Sequence, residues 1–165
     1  MRIRLRLATP DDVPELVALR TAVSARLAQQ FGEGYWAPKV SEKSTRYAMR
    51  IASVYVASYR KTLIATLTLS TRKPWAIDKK YFTPVAKPLY LTSMAVSPDH
   101  QRAGLGSACL EEARRIGRAW PADAIRLDAF DAAAGAGDFY RKCGFRHVGG
   151  ATYRGTALLY FEQLL

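Results

Sequence analysis

DHQRAGLGSACLEEARR, Asp99 to Arg115, is the stretch that decides the fold, because two glycines open a helix directly after an apolar strand. Gly104 and Gly106 stand one residue apart, just beyond the proline at position 98. The first turn of a helix exposes unpaired N–H groups and carries partial positive charge, so it attracts anions. Glycines there let a phosphate approach the backbone closely. The stretch therefore predicts an anion-binding turn.

Three sequence patterns for phosphate binding can be compared with this stretch. The P-loop pattern, G-x-x-x-x-G-K-[ST], does not occur in the chain. The dinucleotide-binding pattern, G-x-G-x-x-[GA], fails at Cys109, and Asp123 or Asp128 matches its later acidic residue only loosely. The pattern [QR]-x-x-G-x-[GA] fits Gln101 to Gly106 in full, after an apolar strand and before a helix.

The rest of the chain predicts a mixed α/β sheet with helices on both faces, in the order β-α-α-β-β-β-α-β-α-β-β. The first strand, Arg2 to Leu7, alternates in polarity, so Ile3, Leu5 and Leu7 should point inward. Thr9 and Ser41 are the expected helix caps, the second helix carrying Tyr47, Ala48 and Ile51. The later strands are expected at 53–59, 62–70, 89–96, 124–130, 145–150 and 155–164, with helices after Gly104 and over 136–143.

The composition bounds the class of protein. The chain has 165 residues, 49% of them hydrophobic, and we expect a single domain over residues 1–165. We see no signal peptide and no apolar run long enough to span a membrane, which predicts a cytoplasmic protein. Cys109 and Cys143 lie far apart, and neither His100 nor His147 clusters with them, so we expect free thiols and no metal site.

The chain is strongly basic. Lysine and arginine number 25 against 14 acidic residues, a net charge of +11. Such a field attracts polyanions, among them nucleic acid and phosphorylated cofactors. The basic residues are spread along the whole chain, without the run that marks a nucleic-acid-binding tail. We therefore expect solvated surface or attraction for a cofactor rather than a nucleic-acid partner.

Two motifs in the right order give the chain a resemblance to a known family. The first is Gln101 to Gly106, and the second is FYRKCGF, Phe139 to Phe145, an aromatic pair followed by a glycine-phenylalanine pair. With the order of elements, they make most of the chain similar to the GNAT superfamily of N-acyltransferases. The resemblance implies acetyl-coenzyme A as co-substrate and direct attack of an amine on its thioester.

The resemblance also implies where the co-substrate binds. The strand before the glycine turn splays from its neighbour in this family, and its free edge binds the two amides of pantetheine. Family members often carry Asn where this chain has Ala133, which weakens one contact. The expected binding residues are Met94, Ala95 and Val96 on the strand and, for the pyrophosphate, Gln101, Arg102, Ala103, Gly104, Leu105, Gly106 and Ser107.

The resemblance implies a proton donor but leaves the base open. Tyr140 lies four residues before Gly144, where the family usually carries the donor to the departing thiolate. Many relatives use a Glu on the central strand as base, but LYLTSMAV has no carboxylate. The remaining candidates are Glu33, Asp128 and Asp131, each also explained as a cap or turn residue. Cys143 is interpreted as a packed thiol rather than a nucleophile.

Aromatic and charged residues in two loops are expected to form the acceptor pocket. Such residues suit a small-molecule primary amine with an apolar part, and Glu33 is a candidate partner for its charge. An amine of a protein or peptide remains an alternative acceptor, and a non-catalytic acyl-CoA-binding sensor remains an alternative function. A homodimer is also considered. The acceptor residues expected from the sequence are Glu33, Tyr35, Trp36, Trp75 and Asp128.

Overall fold

The computed structural model describes residues 2–165 and places seven strands in one sheet. The predicted order of helices and strands is confirmed. None of the helices formed by residues 2–165 has the length and hydropathy that a membrane crossing requires. The elements are β1 (Arg6–Leu7), α1 (Val13–Phe31), α2 (Glu42–Ile51), β2 (Ser53–Tyr59), β3 (Thr62–Ser70), β4 (Pro88–Val96), α3 (Leu105–Ala119), β5 (Ala124–Phe130), α4 (Gly137–Lys142), β6 (Arg146–Tyr153) and β7 (Thr156–Leu164), with 3-10 turns at 10–12, 79–81 and 98–100.

Helices cover both faces of the sheet, as predicted. The strand order is β1-β2-β3-β4-β5-β7-β6, and only β4 and β5 run parallel. Alternate side chains of β2 point to opposite faces. Val54 and Val56 pack with Leu16 and Leu19 of α1. On the other face, Tyr55 and Ala57 belong to the larger core cluster that includes Leu105, Cys109, Leu110, Ala113 and Ile116 of α3.

The first strand is shorter than predicted. Only Arg6 and Leu7 pair with β2. Leu5 is buried and Ile3 packs partly against the core, but Leu7 is 57% exposed, so its predicted inward orientation is wrong. The reason is that β1 is the outermost strand and pairs over only two residues, so it leaves Leu7 without a covering neighbour.

The buried stripe of α2 also differs from the prediction. Its cap is as expected, with the Ser41 hydroxyl accepting from the Ser44 N–H at 3.1 Å. Tyr47 and Ile51, however, are 52% and 45% exposed. The helix packs instead through Thr45, Ala48 and Met49, an i, i+3, i+4 pattern that places the inward face on the other side of Ala48.

The start of α1 is fixed by a buried carboxylate. Asp12 accepts two hydrogen bonds from the Arg6 guanidinium, at 2.7 and 2.8 Å, and one from the Thr9 N–H at 2.7 Å. Hydrogen bonding from Arg6, against the effect of burial, lowers the pKa of Asp12 to about 2. Thr9 caps the 3-10 turn that leads into α1, as expected, and Asp12, which accepts these bonds, joins β1 to the first helix.

The sheet opens at its centre, between β4 and β5. The two strands pair only at Pro88, Leu89 and Tyr90, opposite residues 124–126 of β5. Beyond Tyr90, β4 pairs only with β3, and beyond Arg126, β5 pairs only with β7. The splay that the resemblance implies is therefore present, and it leaves two strand edges facing a wedge-shaped gap.

Candidate functional site

The turn before α3 presents a row of free backbone donors. Within residues 2–165, no well-aligned hydrogen bond uses the N–H groups of residues 102 to 107. The first N–H to bond back is that of Ala108, to the Gly104 carbonyl at 3.1 Å. Arg102 and Gly104 have φ angles of +66° and +76°, which bend the backbone into this shape. Consecutive free N–H groups at a helix start suit a phosphate group.

The two glycines of this turn have different reasons to be glycine. A Cβ on Gly104 would meet nothing within 4 Å, but its positive φ favours glycine. A Cβ on Gly106 would lie only 3.0 Å from the Phe139 ring. Gly106 therefore lets α4 pack against α3, whereas Gly104 keeps the turn open. The expectation that both glycines serve close approach of an anion stays a prediction, and for Gly106 the structure adds a packing reason.

A β-bulge interrupts the pairing of β4 with β3, in the part of β4 that no longer pairs with β5. Thr66 and Thr68 of β3 pair with Ala95 and Thr92 of β4, so β4 has one more residue than β3 over this stretch. Ser93 takes a φ of +52°, rare for a residue with a side chain. Such a bulge bends the strand and turns the backbone groups that follow it. Gln101 donates from Nε2 to the Val96 carbonyl at 3.3 Å, which ties the glycine turn to the strand end.

A cavity of about 360 Å³ lies at the gap between β4 and β5. It brings together residues that are distant in the sequence: the loop after α1, the bulged part of β4, the end of β5 and Tyr140 of α4. Trp36 contacts Phe130 edge to face, with ring centroids 6.3 Å apart, and closes one side. Of the predicted site residues, the lining includes Tyr35, Trp36, Met94, Ala95, Asp128 and Tyr140.

Glu33 and Trp75 do not line the cavity, so the structure does not bring them together with the other predicted acceptor residues. The Trp36 ring lies over Gly34 and its Nε1 donates to the Gly32 carbonyl at 3.2 Å, a fold of the loop that leaves Glu33 exposed. Trp75 is 88% exposed. Its loop packs through Ile77 against other core residues, so the tryptophan remains outside.

Tyr140 stands where the cavity meets an aromatic cluster. Its ring packs near Phe139, Phe145 and Phe161, with centroid distances of 5.3, 5.7 and 6.0 Å. Its hydroxyl makes no hydrogen bond within the described part of the chain. Burial first, and then the negative charge of Asp128, raise the pKa of Tyr140 well above its usual value. The phenol is therefore protonated at neutral pH and oriented by packing alone.

Asp128 is the only one of the three candidate bases that lines the cavity within residues 2–165. Burial raises its pKa above 3.8, and no hydrogen bond or ion pair counteracts that effect. Asp131 is exposed on the turn that follows β5. A half-buried carboxyl with a raised pKa is suited to accepting a proton near neutral pH.

Arg20 is a charged cavity residue that the sequence analysis missed. It lies on α1 and lines the cavity half-buried. Burial lowers the pKa of its guanidinium, and no acidic neighbour in the described chain offsets this. A signal was present: Arg20 is four residues after the buried Leu16 and three before Val23, so it stands on the inward stripe of an amphipathic helix.

The thiols and imidazoles do not form a second centre. Cys109 is buried in the core, where burial raises its pKa to about 12. The Cys143 sulfur lies 3.5 Å from the Ser107 hydroxyl, while His147 is exposed on β6 beside Phe161. Among residues 2–165 no group of three His, Cys, Asp or Glu side chains is placed to hold a metal ion.

Solved structures of several acetyltransferases share this fold. The PaiA N-acetyltransferase from Thermoplasma acidophilum, in complex with coenzyme A, has a TM-score of 0.75 and 17% identity over 100% of both chains. A GNAT-family acetyltransferase from Streptococcus agalactiae has a TM-score of 0.79 and 15% identity, over 99% of this chain and 95% of that one. The ribosomal-protein-S18-alanine N-acetyltransferase from Escherichia coli has a TM-score of 0.73 and 16% identity, over 98% and 93%.

Sequence comparison identifies the family. A search of curated protein sequences finds no match. A family model described as the acetyltransferase (GNAT) family matches residues 24–145. The matched region runs from α1 to the end of α4 and contains the glycine turn, the open strand edge and Tyr140. The chain therefore belongs to the acetyltransferase (GNAT) family.

Proposed function

We propose that this chain is an acetyl-coenzyme A-dependent N-acetyltransferase that acts on a primary amine of a small molecule. One observation carries the proposal: the open edge of β4 lines the cavity that holds Asp128 and Tyr140, and the same strand ends just before the turn with the free N–H groups at residues 102–107. A donor site and a proton-transfer pair therefore share one gap in the sheet.

The residues present fit acetyl-coenzyme A. The free N–H groups of Arg102 to Ser107 are donors for the pyrophosphate, and their helix-start position favours negative charge. The edge of β4 over Met94, Ala95 and Val96 has no strand partner on the side of β5, so its backbone is free for the amides of pantetheine. The bound co-substrate supplies the thioester that carries the acetyl group.

Proton transfer is assigned to two side chains. The lone pair of the neutral acceptor amine bonds to the thioester carbonyl carbon, and Asp128, directly or through a water, takes the proton that the nitrogen then loses. The backbone N–H of Ala95 or Val96 stabilises the negative charge that develops on the carbonyl oxygen. As the carbon–sulfur bond breaks, Tyr140 donates its proton to the thiolate, and solvent in the cavity returns the proton from Asp128 to Tyr140.

The shape of the cavity favours a small acceptor. Its volume of about 360 Å³ lies in the range of small-molecule pockets, and Trp36 and Phe130 provide apolar surface. A protein amine is the second candidate, because the fold is shared with ribosomal-protein-alanine N-acetyltransferases from Brucella melitensis and Escherichia coli. The enclosing aromatic side chains argue for the small amine.

Calorimetric titration with acetyl-coenzyme A, followed by thiol release with a panel of amines, tests the proposal. We expect binding, and thiol release only when a suitable small amine is added. Release with an alanine-starting peptide but with no small amine would transfer the assignment to a protein acceptor. Binding without any release would support the sensor function, and absence of binding would contradict the donor site.

A further inference from the structure

The cavity contains two charged side chains that the protein itself does not pair. Arg20 lines it from α1 and Asp128 lines it from β5. In the part of the chain that the structure describes, neither group forms a hydrogen bond or an ion pair. They do not pair with each other either, so each is free to contact a bound molecule.

The two buried arginines of this protein, Arg126 and Arg114, are a contrast to the half-buried Arg20. Arg126 donates to the Tyr90 hydroxyl at 3.1 Å and to the Thr83 carbonyl at 2.7 Å. Arg114 donates to Gln163 at 2.8 Å and forms an ion pair with Glu111. Removing a guanidinium from water is unfavourable unless hydrogen bonds or an opposite charge compensate. Arg20 alone among these three has no such partner within residues 2–165.

We propose that the acceptor amine carries a carboxylate, which Arg20 binds, so that the substrate class is the free amino acids and closely related amino carboxylates. The inference rests on the proposed function. The planar guanidinium matches a carboxylate in two parallel hydrogen bonds. Asp128 and Ala95 line the same cavity from the sheet, so we expect the amine of the same molecule to lie on that side.

The remaining lining agrees with an apolar amino acid. Val23 and Leu27 of α1, with Trp36 and Phe130, provide aliphatic and aromatic surface beside Arg20. The net charge of +11 attracts an anionic group rather than a polyamine. A peptide N-terminus has no free carboxylate next to its amine, so it would leave Arg20 unpaired.

Matched acceptors test this inference. Thiol release from acetyl-coenzyme A is measured with phenylalanine, phenylalaninamide and phenethylamine, and with leucine and leucinamide. These compounds share a side chain and an amine and differ in the carboxylate. We expect kcat/KM to be at least about 10-fold higher for the free amino acids, the amount typical of hydrogen bonds to a charged group.

Variants of Arg20 test whether the preference for acceptors with a carboxylate depends on the Arg20 guanidinium. In Arg20→Gln, KM for the preferred amino acid should rise about 10- to 100-fold, while kcat/KM for its amide and the affinity for acetyl-coenzyme A stay unchanged. Arg20→Lys should keep part of the preference. Arg26→Gln, an exposed change on the same helix outside the cavity, is the control.

The outcomes separate this inference from the proposed function. A wild-type preference for amides or decarboxylated amines overturns the carboxylate assignment and leaves the acetyltransferase proposal standing. An equal loss for both members of a pair in Arg20→Gln also overturns it. If an alanine-starting peptide is acetylated and no small amine is, both fail. If Arg20→Gln does not fold, the wild-type ratio and Arg20→Lys still decide.

Discussion

The two halves of the candidate site are built in different ways. The donor half consists of main chain: the free N–H groups at the start of α3 and the unpaired edge of β4. The acceptor half consists of side chains: Arg20, Trp36, Asp128 and Tyr140, from four separate elements. Main-chain sites demand particular backbone conformations, and these restrict the sequence. Side-chain pockets place few local demands on the sequence, so their specificity is encoded by residues that look ordinary in isolation.

The largest effect should come from placing a negative charge in the donor half. We expect Gly104→Glu to weaken acetyl-coenzyme A binding by about 100-fold or more, because its carboxylate would meet the pyrophosphate and its φ of +76° is strained. Calorimetry measures the change in Kd. Gly155→Glu is a matched control, since Gly155 has a φ of +78° and equally open surroundings in the β6–β7 turn.

The control distinguishes charge at the site from backbone strain. Both variants should lose similar stability in thermal unfolding, while only Gly104→Glu loses binding. Equal Kd values in the two variants would mean that the N–H row at residues 102–107 does not receive the pyrophosphate, and the main-chain half of the comparison would then be wrong.

The next effect concerns the base in the acceptor half. We expect Asp128→Asn to reduce kcat by about 100-fold or more, the usual contribution of a general base. Steady-state thiol release measures it. Asp131→Asn is the control because Asp131 is exposed three residues further along the chain. If Asp131→Asn showed the larger loss, the base would lie outside the cavity.

Asp128 also predicts a pH dependence with a definite sign. Burial raises its folded pKa above 3.8, so the folded state binds this proton more tightly than the unfolded state does. Its contribution to stability therefore improves as pH falls through the folded pKa, and at pH 7 it is unfavourable. Asp128→Asn should be at least as stable as wild type in urea at pH 7, and kcat/KM should decline on the acid side at a pH above 3.8.

A smaller effect is expected for the proton donor. Tyr140→Phe should reduce kcat by about 10- to 100-fold and change the Kd for acetyl-coenzyme A little, since water in the cavity can replace part of its role. Because the hydroxyl makes no internal hydrogen bond, stability should be unchanged. Tyr153→Phe on β6 is the control, and an unaltered kcat in Tyr140→Phe would remove the tyrosine from the mechanism.

The smallest effect on activity is expected from a change at Asp12, which should lower stability and leave both halves of the site active. Asp12 has a folded pKa of about 2 against 3.8, so it stabilises the fold above pH 4, and this contribution is lost as pH falls towards 2. We expect Asp12→Asn to reduce the free energy of unfolding at pH 7 by about 1–2 kcal/mol, moderated because Arg6 is half exposed. Urea unfolding measures it, and kcat/KM at 25 °C should match wild type. A large loss of kcat/KM would show that the start of α1 controls the acceptor half.

Much of the fold was predictable because local chemistry agreed with the final structure. The turn at Arg60 and Lys61 joins two apolar strands, and the structure gives both residues positive φ angles, as a two-residue hairpin requires. Gly144 follows the end of α4 with a φ of +87°, a conformation that glycine adopts readily at a helix end. The errors at Leu7 and Ile51 concern which apolar side chains lie under a neighbour, and that depends on elements far away in the chain.

The candidate site shows the same difference between features set by the local sequence and features set by distant elements. The glycine turn can be recognised in the sequence because the backbone geometry of the turn determines Gly104 and the pattern around it. In the sequence Arg20 looks like a surface arginine, and only the packing of α1 over the sheet places it in the cavity. Trp75 looks like a pocket residue in the sequence, but its loop packs through Ile77 and leaves it exposed. The bulge at Ser93 has no local marker, because a serine with positive φ is held by the pairing of β4 with β3.

The gap between β4 and β5 has a consequence for handling the protein. An open strand edge is a template for pairing with another chain, and here two such edges lie in the middle of the sheet rather than at its rim. A molecule that binds along these edges takes the place of a neighbouring strand. Binding of the co-substrate should therefore reduce self-association. At 100 times its Kd, acetyl-coenzyme A would stabilise the folded state by about 2.7 kcal/mol. We expect preparations supplied with coenzyme A to remain monodisperse at concentrations where the ligand-free protein forms aggregates.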